Sequence, residues 1–202
     1  MAIAAQLLKA ADQEWQRWGF SKAPLLEAKV IGGIESKQPF AEFVREYWTA
    51  VEHPELNGLS ASPWSAAFVS FCFAAAGAQK GFPYHIGHWG YCARIVNSPA
   101  KFAGLSFEDP AKTVLAPGDI IVAARKGTPL PPTSFADALQ RLRSTKKNFP
   151  SHGDIVVEVR PGEVDVIGGN VANSVTKSTY LTLQGRIADQ RHVWIGVVKN
   201  RL

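Results

Sequence analysis

The chain has 202 residues, 46% of them hydrophobic and 19% charged, which suits one folded domain and excludes a disordered or low-complexity protein. Its two cysteines, Cys72 and Cys92, are too few for a disulfide framework, and their spacing matches no zinc motif. A formal net charge of +5 and a pI near 9.3 make the surface mildly basic, a bias toward polyanions that names no partner.

Residues 3–18 place Ile3, Leu7, Ala11, Trp15 and Trp18 at helical spacing, so the spacing predicts an amphipathic helix stopped by Gly19. The first eight residues are apolar but lack a basic start, and Lys9, Asp12 and Glu14 follow at once, so no cleavable signal is expected. No apolar run is long enough to predict membrane insertion. Synthesis in the cytoplasm is the expectation, and any action outside it would need separate export. A second helix is predicted over 39–51, with Phe40, Phe43, Val44, Tyr47, Trp48 and Val51 as its stripe and Pro39 in the first position. Residues 1–60 read as a helical extension of a single domain covering 1–202.

The third predicted helix carries the most information. Ser62 fits its N-cap, Pro63 its first position and Gly77 a left-handed end. The stretch between is apolar almost all round, so it should lie at the centre of the domain, with Ser65 in its first turn near the positive end of the helix dipole. Cys72 follows Ser65 by two turns, roughly 10 Å down the helix. It shares a stripe with Phe68, which reads as core. Strands are predicted over 119–123, 154–159, 163–167 and 192–198, divided by Pro-Gly and Gly turns, hence an antiparallel sheet packed on helices, an α+β fold. Residues 125–150 read as a polar surface insertion with a short helix from 134 to 142.

Four short motifs stand out in order: PWSAAFVS at 63–70, APGDIIV at 116–122, SHGDIVV at 151–157 and VIGGN at 166–170. Together they resemble the nucleophile helix, the PGD strand, the histidine strand and the following polar residue of the papain-like cell-wall enzymes, the CHAP amidases and their NlpC-type relatives. The same motifs, with SVT at 174–176, are similar to those of an uncharacterised bacterial family that has serine in the first motif. The resemblance implies a papain-like fold with the catalytic helix buried against the sheet. It implies a peptidoglycan amidase or endopeptidase with Ser65 as nucleophile, His152 as base and Asn170 orienting the ring. It implies no cofactor. A signal-less wall hydrolase of this kind would suit an interbacterial toxin or a lysin, with secretion machinery and an immunity protein among its partners.

Two departures matter. Ser65 stands where the amidases have cysteine, and a hydroxyl, unlike a thiol, needs a neutral base at the moment of attack. Gly168 occupies a position where many CHAP domains carry an acidic residue. Strand alternation puts His152 and Asp154 on one face, so Asp154 is a further site candidate. Ser65 and His152 are accordingly expected to meet.

Blander readings stand beside these. Ser65 could only bond its own helix end, and Asn170 could serve a turn with positive φ. Trp64, His88 and Tyr91 are candidates for a substrate groove. With His85, His152 and Asp154, His88 has ligand types that would suit zinc, without a supporting motif. The cluster Arg141, Arg143, Lys146 and Lys147 lacks interleaved aromatics and reads as a solvated loop, not a nucleic-acid surface. A peptidoglycan-binding module that kept the fold without catalysis is the alternative function, and a metal-dependent hydrolase the third.

Overall fold

The structure is a computed structural model that describes residues 3–125, 127, 129–144 and 148–202. Lys146 and Lys147 of the expected basic loop lie outside the described residues. The architecture is mixed α+β, with five α-helices and a sheet of eight strands among the described residues. In chain order these are α1 (Ile3–Arg17), β1 (Ser21–Ala23), α2 (Phe40–Thr49), α3 (Ser65–Ala75), α4 (His88–Asn97), β2 (Leu105–Glu108), β3 (Ile120–Ala124), α5 (Phe135–Arg143), β4 (Ser151–Arg160), β5 (Glu163–Val171), β6 (Ser174–Leu183), β7 (Arg186–Ile187) and β8 (Val193–Asn200). The sheet runs β1-β6-β5-β4-β3-β8-β2, with β7 paired to β6. Every pairing is antiparallel except β1 with β6.

The apolar helix α3 lies where its sequence requires. It packs against α1 and α2 on one side and against β4 and β5 on the other. Ala67, Phe68, Val69, Ser70, Cys72 and Phe73 are fully buried. Trp18, directly after α1, stacks on Trp64 at 5.3 Å between centroids, and Tyr47 of α2 meets Phe68 edge-on at 5.4 Å. Gly77 closes the helix at φ 79°, as its sequence position predicts. The beginning differs from expectation. Trp64, not Ser62, is the N-cap residue, and it makes no side-chain cap bond. Pro63 therefore lies outside the helix, and Ser65 becomes its first residue.

Close approach of α3 to the sheet depends on one glycine. A Cβ on Gly169 would lie 2.5 Å from Cβ of Phe68, closer than two carbon atoms can stand. The opposite face of the sheet carries a smaller core of Leu115, Ile121, Val156, Val164, Val166, Tyr180, Ile187 and Val197. The segment expected to be a surface insertion takes part in packing. Its helix α5 is capped by Ser134, whose Oγ accepts from the Asp137 N–H, and Ala138, Leu142 and Phe149 are buried in the main core. Three apolar residues spaced along a polar stretch suffice to anchor it, a pattern hidden by the average polarity. The strand β6 and the helix α4 were not anticipated.

Candidate active site

A cleft of about 510 Å³ opens where α3, β3, β4, β5 and β6 converge. Ser65, His152 and Asn170 all line it, so the fold brings together the three residues singled out as nucleophile, base and orienter. Their contacts differ from the expected ones. Ser65, 6% exposed, bonds not to His152 but to His88, with Oγ 2.7 Å from Nε2. The other ring nitrogen of His88, Nδ1, lies 2.6 Å from the Tyr91 hydroxyl. His152 is held by Asp154, with Nε2 2.8 Å from Oδ1. The two imidazoles lie side by side, 5.7 Å between centroids. Asn170 makes no side-chain hydrogen bond to His152 and sits at φ 58°, the backbone role foreseen for it.

Asp154 fits because Gly168 is a glycine. A Cβ there would lie 1.7 Å from the Asp154 Oδ1. The carboxylate from β4 fills the space that a side chain on β5 would need. His152 and Asp154 are two apart in an extended strand, which is what places both on one face.

Trp64, His88 and Tyr91, expected at a substrate groove, do not line the cleft. Trp64 is 1% exposed, with its indole N–H given to Glu35, and His88 and Tyr91 are 2% and 0% exposed. All three sit beneath the cleft. The larger open groove of the molecule, about 1310 Å³ between Val51 and Phe102, is bordered by Tyr84, His85 and Arg94. It contains neither Ser65 nor His152. Among the described residues no group of three or more His, Cys, Asp or Glu side chains is gathered to hold a metal ion.

Burial and charge separate the two histidines. Burial, with the neighbouring His152, pushes the His88 pKa well below its ordinary 6.5, so His88 is neutral. Burial would lower His152 as well, and Arg125 adds to that effect. The charge and hydrogen bond of Asp154 outweigh both and raise His152 above 6.5. Burial holds the Tyr91 phenol far above its usual range, protonated.

The neutral ring and the protonated phenol fix the direction of the bonds. The Tyr91 hydroxyl has no partner among the described residues other than Nδ1 of His88. An unpaired buried donor costs about 1–3 kcal/mol, so the phenol donates to Nδ1. A neutral imidazole has one N–H, which then sits on Nε2 and is given to the Ser65 oxygen. The serine proton is left to point elsewhere. His88 therefore holds the serine oxygen and, in this tautomer, cannot accept the serine proton. In its neutral form His152 donates its Nε2–H to Asp154, which leaves Nδ1 as its acceptor nitrogen.

The helix end adds a third element. The first amide bonded within α3 is that of Phe68, to the Trp64 carbonyl at 2.9 Å. The amides ahead of it have no intrahelical acceptor. No acidic side chain lies in that first turn to compete for them.

Sequence reasoning missed the pairing of His88 with Ser65. The available signal was His-x-x-Tyr at positions 88 and 91, one helical turn apart on the unanticipated α4. Cys72 is fully buried, and burial raises its thiol pKa far above the ordinary value, in keeping with a core role.

A buried serine-bearing helix, a mostly antiparallel sheet, and a cleft backed by the Ser65–His88 and His152–Asp154 pairs define an α+β protein with a serine–histidine cluster. The chain belongs to a bacterial family: residues 28–200 match the model described as "Uncharacterized protein conserved in bacteria (DUF2272)". No curated protein and no solved structure matches the chain.

Proposed function

We propose that the cleft is the active site of a serine amidohydrolase on a papain-like framework, acting on an amide bond of peptidoglycan. The observation that carries this reading is the meeting, in one cleft, of Ser65 at a helix N-terminus with the His152–Asp154 pair. The motif order supports the likeness to the CHAP and NlpC-type enzymes. So does the space at Gly168, where the Asp154 carboxylate supplies from the neighbouring strand what those enzymes carry on the next one.

In this mechanism the Ser65 oxygen attacks the amide carbonyl while Nδ1 of His152 takes the hydroxyl proton. The C–N bond then breaks, and His152 returns that proton to the leaving amine. Water, deprotonated by the same nitrogen, splits the resulting ester and restores the serine. Asp154 keeps the ring oriented and stabilises its charged form. The helix dipole contributes only about 0.3–1 kcal/mol. Two directed backbone amides at the oxyanion can supply more, since one such donor is worth about 2.7–4 kcal/mol elsewhere. The unpaired amides at the start of α3 are suited to that task. Arrival at the wall would require delivery by secretion machinery or release by lysis, with an inhibitor protecting the producer.

The test is digestion of purified sacculi followed by mass spectrometry of the released fragments. Wild type should release fragments with a new amine and a new carboxylate, and Ser65→Ala and His152→Ala should release none. If wild type, Ser65→Cys and sacculi of several chemotypes together yield no cleavage while the protein binds the wall tightly, the protein is a binding module and the hydrolase reading fails.

A further inference from the structure

The charged side chains that line the Ser65 cleft are all of one sign. Lys29 comes from the loop after β1, Arg125 from the end of β3 and Arg191 from the loop before β8, with His192 beside it. Among the described residues no aspartate or glutamate borders the cleft. The Asp154 carboxylate is 2% exposed and engaged by His152, and Asp189 is 3% exposed. Asp189 holds Arg191 through Nε and Nη2, at 2.9 and 2.7 Å from Oδ1 and Oδ2, and the same Nη2 donates to the Thr179 carbonyl at 2.6 Å. That fixes the guanidinium plane over the Tyr180 ring, 4.9 Å from its centroid, and leaves Nη1 outside the pair. Lys29 forms no ion pair among the described residues and is exposed.

Lys29 and Arg125, with Arg191 whose charge Asp189 offsets in part, come from three separate segments and set a positive potential where a substrate must lie. A low-dielectric wall on one side strengthens that field. We infer that the cleft selects amide substrates carrying a free carboxylate close to the bond presented to Ser65. A carboxylate suits the planar N–H groups of an arginine, and Nη1 of Arg191, outside its pair with Asp189, can donate one further hydrogen bond. Arg125 lies near enough to His152 to disfavour its protonated form, so a substrate carboxylate on Arg125 would also ease formation of the imidazolium. The hydrolase reading supplies the chemical identity of the substrate. The charge preference itself does not depend on catalysis.

The test uses the full chain with Ser65→Ala, which binds without turnover, and calorimetry with two soluble probes. One is N-acetylmuramyl-L-alanyl-D-glutamate. The other is the same compound with both glutamate carboxyls converted to carboxamides. The dicarboxylate should bind about tenfold more tightly, the scale of one charge-assisted contact. Lys29→Gln and Arg125→Gln, each on the Ser65→Ala background and both at exposed positions, should shrink that ratio. Equal affinity, a preference for the diamide, or no binding of either probe at millimolar concentration overturns the inference. Inert wild type combined with a dicarboxylate preference sinks the hydrolase reading and leaves the anion site standing. Equal cleavage of sacculi with free and amidated glutamate does the reverse.

Discussion

The division of labour between His88 and His152 rests on two partners, a phenol and a carboxylate. Asp154 raises His152 above 6.5, and a general base must be neutral, so the rate should rise as pH increases through that raised value. Asp154→Asn removes the charge that opposes burial. The acid limb of the pH–rate profile should move to lower pH and the plateau rate should fall, both readable from kcat/KM against pH. The stability linkage has the same origin. With a folded pKa raised above the unfolded one, the His152–Asp154 pair contributes stability that is full below about pH 6.5 and lost as pH climbs through the folded value. His88 acts in the opposite sense. Its folded pKa is depressed, so acidification below 6.5 charges it on unfolding and destabilises the fold. Tyr91→Phe removes the donor that fixes the tautomer of His88. The Ser65 oxygen then loses its directed N–H in part of the population, and kcat should fall with little change in KM. An unchanged kcat would show that His88 does not position the serine.

Two glycines of β5 bring elements together, and each makes a separate prediction. At Gly169 the new methyl of Gly169→Ala would press on Phe68 of α3, 2.5 Å from its Cβ, and helix and sheet would have to part. Overpacking of this kind costs about 1–3 kcal/mol, visible as a lower midpoint in denaturant. At Gly168 the methyl would displace the Asp154 carboxylate instead. Gly168→Ala should therefore lower activity by more than its loss of stability accounts for, and it should shift the pH–rate profile in the same direction as Asp154→Asn. The helix α4 matters for a related reason. Its first turn carries both His88 and Tyr91, so this one short element supplies the hydrogen-bond chain to the serine oxygen.

Across the molecule, the segment ahead of the family-matched region is part of the core. Leu7 and Trp15 of α1 and Trp18 just after it are buried, and Trp18 stacks on Trp64 immediately before Ser65. Between α1 and α2 runs a buried polar chain. The Trp18 indole donates to the Tyr47 hydroxyl at 2.7 Å, and that hydroxyl donates to Glu14, a carboxylate whose pKa burial raises. Tyr47→Phe strands the Trp18 indole N–H and leaves Glu14 with Arg17 alone, and it should destabilise the fold by about 1–3 kcal/mol in chemical denaturation, the range for a buried group left unpaired. A chain begun at residue 28 would leave Trp64 and Phe68 uncovered on one side. It should lose cooperative unfolding, which calorimetry would reveal.

Local sequence patterns determined much of this protein: the buried helix through Ser65, its stop at Gly77, four of the strands, the pairing of His152 with Asp154 on one face and the core position of Cys72. Each of these follows from periodicity or from a residue with restricted geometry, information carried within a few neighbours along the chain. The helix start was misread because Pro63 and Ser62 satisfy the capping pattern, yet the chain turns into the helix two residues later under the packing of Trp64. The burial of the segment from 125 to 150 was hidden for the same reason, since three spaced apolar residues give no local signal. Only the tertiary structure decided that Ser65 bonds to His88, that Asp154 fills the space at Gly168, and that cations from three distant segments converge on one cleft. Those are relations between elements far apart in sequence, set by how helices and strands pack, and no local pattern encodes them.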